Sequence, residues 1–84
     1  MKLLVTGGCG FISSNFIRYV LKNHGDFKII NLDKLTYAGN LENLIDVPKT
    51  YDNRYKFIRG DICDAQLVDK ILREYQIEAI ANFA

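Results

Sequence analysis

Gly7-Gly8-Cys9-Gly10, together with an aspartate further on, are the residues whose types and spacing point to chemistry. Glycine reaches positive φ cheaply and carries no side chain, so Gly7 and Gly10 are expected to let the chain reverse tightly and approach a ligand with bare backbone. A helix beginning near Phe11 would then turn its unpaired N–H groups and the positive end of its dipole toward an anion in the turn. Residues 11 to 32 separate Gly10 from Asp33, close to the spacing of about 20 between a phosphate-binding turn and a ribose-binding acid in dinucleotide sites. In such a site the anion is a pyrophosphate. The Asp33 carboxylate can accept hydrogen bonds from both ribose hydroxyls and would repel a 2′-phosphate, which favours NAD over NADP. Lys34 pulls the other way, because a neighbouring cation could tolerate that phosphate.

Asp61 is a second candidate, placed to meet the amino group of an adenine, with Ile62 packing on the ring face. The same residues also read as plain structure, Gly60-Asp61 as a turn and Asp64 as a helix cap. Cys9 and Cys63 sit in no metal-ligand spacing. A helix N-terminus can lower a thiol pKa, yet Cys9 is better read as a small filler of the turn. His24, the lone histidine, reads as a dipole partner or surface residue.

The elements that must position these groups follow from periodicity. Lys2 to Thr6 is a nearly continuous apolar run, as for a strand covered on both faces. Phe11, Ile12, Phe16, Ile17, Val20 and Leu21 make one helical stripe, with the helix closed at Gly25 and Lys22 and His24 complementing its dipole. Phe27 to Leu32 reads as a second strand and residues 33 to 40 as a polar loop. Leu41 to Ile45 reads as one helical turn closed by Pro48, and residues 48 to 54 as an exposed connection. Tyr55 to Arg59 is a third strand; Ala65 to Tyr75 is a second long helix with Leu67, Val68, Ile71 and Leu72 on one face; residues 77 to 84 are a fourth strand. Right-handed crossovers then give an α/β fold: a four-stranded parallel sheet, order 3-2-1-4, with its ligand crevice at the carboxyl ends. That is part of a doubly wound, Rossmann-type domain.

Bulk properties agree. The 84 residues support one small domain, and 49% hydrophobic with 25% charged residues describes a chain that folds around a core. A net charge of +1 supplies no field to attract nucleic acid or an anionic membrane. No apolar run reaches the roughly 18 to 20 residues of a membrane span and the N-terminus lacks a secretion pattern, so a reducing cytoplasm is expected.

Thr6-Gly7-Gly8-Cys9-Gly10-Phe11-Ile12 resembles the TGGxGFI signature of the extended short-chain dehydrogenase/reductases. The octet at residues 33 to 40, DKLTYAGN, resembles more narrowly the ribose loop of the dTDP-glucose 4,6-dehydratase family; Gly60-Asp61-Ile62 and Asn82-Phe83-Ala84 resemble later cofactor-contacting segments. The resemblance covers the whole chain. It implies NAD as cofactor, with Phe11 and Ile12 giving backbone amides to the pyrophosphate and Asp33, Lys34, Leu35, Thr36 and Gly39 forming the ribose loop. Asp61 and Ile62 would hold the adenine, and Phe83 with Ala84 would pass the second half of the cofactor. The side chains of Phe11, Ile12 and Phe83 are expected in the core. The resemblance further implies a nucleotide-sugar substrate in the full-length enzyme, oxidised at C4, dehydrated across C5 and C6, then reduced at C6.

Two positions depart from the pattern: Ser13 replaces the third glycine and is expected to push the helix outward and weaken pyrophosphate binding, and Asn82 stands where the family usually has a histidine. None of Tyr19, Tyr37, Tyr51, Tyr55 and Tyr75 has a lysine four residues on, so the Tyr-x-x-x-Lys pair of the family is not within these residues. The chain is therefore expected to be the N-terminal NAD-binding part of a dehydratase, without catalytic residues and inactive alone. The alternatives are a segment of a nucleotide-sugar 4-epimerase, or a truncated module that binds NAD or self-associates through an unpaired, apolar fourth strand.

Overall fold

The computed structural model describes residues 1–35 and 41–83. Four strands, β1 (Lys2–Thr6), β2 (Lys28–Asp33), β3 (Tyr55–Arg59) and β4 (Ala79–Asn82), form one parallel sheet in the order β3-β2-β1-β4. The expected order holds. The chain steps outward from β1 to β2 to β3, then returns to the far side of β1, so the direction reverses between β1 and β4. Thr6 and Asn82, paired in register, mark the carboxyl ends at that reversal.

Alternation along the strands divides the core into two layers. Leu3, Val5 and Ile29 face α1 (Phe11–Asn23), whose Ile17, Val20 and Leu21 are buried against them, and Phe57, Ala79 and Ala81 pack on the same side. Leu4, Ile30 and Leu32 face α3 (Ala65–Glu74), whose Ile71 is buried while Leu67, Val68 and Leu72 pack around it. This is the apolar face expected of that helix. Asp64 caps it, its carboxylate accepting from the Leu67 N–H at 3.1 Å.

Several boundaries move. Phe11 and Ile12, read as part of the α1 stripe and as core, are 76% and 74% exposed, because the buried face of α1 runs through Ser13, Ser14, Ile17, Val20 and Leu21, and a helix of 3.6 residues per turn puts Phe11 and Ile12 on the opposite side. The C-terminal carbonyls of α1 are met from afar: the Arg54 guanidinium donates to Leu21 O at 3.0 Å and His24 O at 2.6 Å. A 3-10 turn spans Leu41–Leu44, but Pro48 does not close it. Pro48 lies in the first turn of α2 (Val47–Thr50), where its fixed φ suits a helix start and its missing N–H would have no partner. That connection is thus anchored, with Val47 fully buried. The last strand is shorter than residues 77 to 84, and its Ile80 is 55% exposed.

Candidate functional site

The site is built at the carboxyl ends of β1 and β2, where the chain leaves Thr6 and enters the glycine turn. Gly7 adopts φ 70, the left-handed conformation expected of it, while its N–H stays tied to Leu32 O at 2.9 Å. Gly10 differs from expectation. It is the N-cap of α1 with φ −70, a conformation open to any residue. Within the turn, Gly8 is closely enclosed: a Cβ there would fall within the Asn31 carboxamide and 2.7 Å from Ile17 Cδ1.

Buried side chains from β2 hold the turn. Gly8 N–H donates to Asn31 Oδ1 at 3.0 Å and Cys9 N–H donates to Asp33 Oδ2 at 2.7 Å. Asn31 and Asp33, two residues apart, project from one face of β2 and so receive two consecutive amides. The other end of Asn31 donates to the Tyr55 hydroxyl at 3.1 Å and to Cys9 Sγ at 3.5 Å. Asn43 Nδ2 donates to Cys9 O at 2.9 Å, bringing the 3-10 turn against the glycines. Burial, with the nearby Asp33 carboxylate adding to it, pushes the Cys9 thiol up to about 11. Burial likewise pushes the Tyr55 phenol up to about 12. Cys9 is therefore the filler anticipated for it, and no helix dipole activates it.

Ser13 does not push α1 away. It is buried, and its hydroxyl donates to Gly7 O at 2.5 Å and also reaches Gly10 O at 3.3 Å, stitching the helix to the turn. Gly10 has no side chain to cap α1, so the amides of Phe11 and Ile12 in its first turn have neither a side-chain cap nor an intrahelical partner. N–H groups without an intrahelical partner thus lie beside a turn whose own N–H groups are occupied.

Asp33 ends β2 and Asp61 follows β3, and each is held by nearby groups. Asp33 is buried and its second oxygen, Oδ1, accepts from Leu35 N–H at 2.8 Å. A carboxylate offers about four lone-pair sites, so both oxygens retain acceptor capacity toward a ligand. Leu35 itself has φ 59, a left-handed conformation that reverses the chain just after the acid. Lys34 Nζ lies 3.2 Å from Asp61 Oδ2, and Asp61 Oδ1 accepts from Cys63 N–H at 2.9 Å. The Cys63 amide first, and Lys34 second, hold the Asp61 carboxyl below its usual range. Ile62 beside it is exposed.

At the β1/β4 reversal Thr6 Oγ1 donates to Asn82 Oδ1 at 2.5 Å. Phe83 N–H donates to Thr6 O at 2.9 Å. The Phe83 ring stands 5.4 Å from that of Phe16 but is 42% exposed, only partly the core residue anticipated. Thr36, Gly39 and Ala84 lie outside the described residues. Sequence reasoning missed Gly8, Asn31, Asn43 and Tyr55. The available signal was Asn31, an amide within the otherwise apolar run that precedes Asp33.

A parallel sheet whose order reverses beside a glycine turn, with an uncapped helix and an acid at the next strand end, defines the Rossmann-like class of doubly wound folds. A profile of the GDP-mannose 4,6 dehydratase family matches residues 4–84, and the chain belongs to that family. The dTDP-glucose 4,6-dehydratase of Salmonella typhimurium is 48% identical over 84 residues, which is 100% of this chain and 22% of that protein. The crystal structure of dTDP-glucose 4,6-dehydratase from Bacillus anthracis, in complex with NAD, superposes with a TM-score of 0.94 at 43% identity, covering 100% of this chain and 26% of that one. UDP-glucose 4-epimerase from Thermotoga maritima, solved with UDP-glucose, matches at 28% identity and a TM-score of 0.81, covering 100% of this chain and 24% of the epimerase. The chain thus spans about a quarter of the length of the proteins it matches.

Proposed function

We propose that this chain is the NAD-binding segment of a nucleotide-sugar 4,6-dehydratase that acts on dTDP-glucose. The observation that carries the reading is the pairing of Asn31 and Asp33 with the Gly8 and Cys9 amides, which fixes the turn and leaves the first N–H groups of α1 facing outward. The residues fit a dinucleotide: a left-handed glycine at Gly7, no side-chain cap on α1, and a fixed carboxylate at Asp33. The higher identity to the dehydratase than to the epimerase favours the former.

In this reading the Phe11 and Ile12 amides bind the pyrophosphate beside Gly7 and Gly10. Asp33 accepts from the ribose hydroxyls and excludes a 2′-phosphate; Lys34, Leu35, Thr36 and Gly39 complete that loop. Asp61 and Ile62 flank the adenine, and Phe83 and Ala84 pass the distal half. Bound NAD supplies a hydride acceptor and donor. The chain's own residues bind and orient it, and no catalytic acid, base or nucleophile for the sugar is assigned among them.

The same reading makes the 84 residues alone inactive in dehydration, places the protein in the cytoplasm, and includes self-association through β4. Among the described residues β4 pairs only with β1 and exposes Ile80. No helix among the described residues is long and apolar enough to cross a membrane.

Cofactor binding is tested by thermal unfolding with added NAD. A ligand present at about 100 times its dissociation constant stabilises a fold by about 2.7 kcal/mol. In a domain of this size that raises Tm by roughly 10 to 20 °C. No shift with millimolar NAD refutes NAD binding by these 84 residues, while the family membership stands on the sequence match.

A further inference from the structure

We propose that Asp61 sets the preference for NAD over its 2′-phosphorylated form indirectly, by holding the Lys34 ammonium away from the ribose. The inference rests on the cofactor reading given above. Asp33 lies where the ribose is bound, and both its oxygens are already oriented by the Cys9 and Leu35 amides. A 2′-phosphate brought to that position meets a fixed anion and needs a cation in compensation. The nearest in sequence is Lys34, a compact charge on a flexible four-carbon stem that could turn toward the phosphate.

The structure gives that ammonium another partner. Lys34 Nζ lies 3.2 Å from Asp61 Oδ2, across the ends of β2 and β3. The acceptor is itself anchored: Cys63 N–H donates to the other carboxylate oxygen at 2.9 Å, and Asp64 N–H donates to Asp61 O at 2.9 Å. The lysine is anchored too, because the left-handed Leu35 fixes the chain reversal immediately after it. Arg59 is the other cation nearby, in register with Asp33, and stays in place in every variant below.

The side chains are 62% and 40% exposed, so the tether is that of a solvated ion pair and its effect is modest. An exposed pair of this kind corresponds to a change of about two- to fivefold in a binding ratio. The experiment measures the dissociation constants of NAD and NADP for wild type, Asp61→Asn, Lys34→Ala and the double variant. Each is compared as the NADP/NAD ratio, in which any loss of adenine contact at Asp61 cancels because both cofactors carry the same adenine.

Asp61→Asn is expected to shift the ratio toward NADP by about two- to fivefold when Lys34 is present. In the Lys34→Ala background the same substitution is expected to leave the ratio unchanged. An equal shift in both backgrounds would mean that Asp61 repels the phosphate directly, and overturns the tether; so does no shift in either. Asp61→Ser, which also keeps an acceptor for the Cys63 amide, repeats the measurement if the asparagine variant misfolds. Wild type that binds neither cofactor refutes the cofactor reading, and the tether with it.

Discussion

Gly8→Ala should be among the most damaging single-methyl changes in the molecule, although the turn around it is at the surface end of the sheet. The added Cβ would lie 2.5 Å from Asn31 Cγ and 2.7 Å from Ile17 Cδ1. Ile17 and Asn31 are both fully buried, so neither can yield into solvent. If Asn31 rotates, the bonds to Gly8 N–H (3.0 Å) and the Tyr55 hydroxyl (3.1 Å) are lost together. Overpacking a core costs roughly 1 to 3 kcal/mol and stranding a buried polar group roughly 1 to 3 more. A net loss of about 3 kcal/mol lowers Tm by roughly 12 to 24 °C for a domain of this size.

The assay is thermal unfolding followed by circular dichroism, with Gly25→Ala as control, since nothing lies within 4 Å of a Cβ at Gly25. That control should stay within about 1 kcal/mol of wild type. The mechanism is separately visible in Asn31→Ala, which removes the Asn31 part of the clash in advance and opens space into which Ile17 Cδ1 can move. In that background Gly8→Ala should cost much less than in wild type, a coupling expected only of residues in contact. Gly8→Ala melting within about 2 °C of wild type, or adding in full to Asn31→Ala, would refute the packing argument.

The two thiols should behave differently: Cys63 is exposed and Cys9 buried, so a thiol reagent at neutral pH should label one cysteine in the native protein and both only after unfolding. Cys9 and Tyr55 are acids that burial pushes above their ordinary values, up to about 11 and about 12. Burial favours their neutral forms, so the stability they contribute is complete below about pH 9 and is lost as pH rises toward 12; denaturant midpoints should fall over that window and remain level between pH 7 and 8. Self-association through β4 should appear by size-exclusion chromatography with light scattering as mass rising with concentration and abolished by Ile80→Lys. A clean monomer at high concentration counts against it.

The architecture was legible in the sequence because it rests on local signals. Apolar runs of strand length, a three- to four-residue stripe and the Asp64 cap place β1, β2, β3 and α3 to within a residue or so. The strand order followed from the handedness of crossovers alone. What was not legible depends on long-range geometry. Ser13 looked like an obstruction because a β-carbon in place of glycine suggests bulk; its hydroxyl instead finds Gly7 O, six residues back across the turn. By residue type Phe11 and Ile12 extend the apolar stripe, but the face turned to the sheet in the first turn is that of the small polar residues Ser13 and Ser14, which hydrophobicity does not mark. The pairing of Gly8 with Asn31 and of Cys9 with Asp33 spans 23 and 24 residues, and depends on the register of β1 against β2.

That pairing bears on the ribose role proposed for Asp33. In the proposed reading Asp33 would be at once the acceptor of the ribose hydroxyls and the acceptor that fixes Cys9 N–H. Removing it would loosen the turn and delete the ribose partner in one step, so a lost affinity could not be divided between the two. Lys34 and Asp61 pair with each other in solvent, and that pair can be altered while Asn31 and Asp33 keep the turn in shape. On the tether proposed above, the discrimination between cofactors would be adjusted at the rim of the site, independently of the buried network around the glycine turn. A division of this kind follows from burial: groups closed off from water hold geometry, and groups in water tune charge.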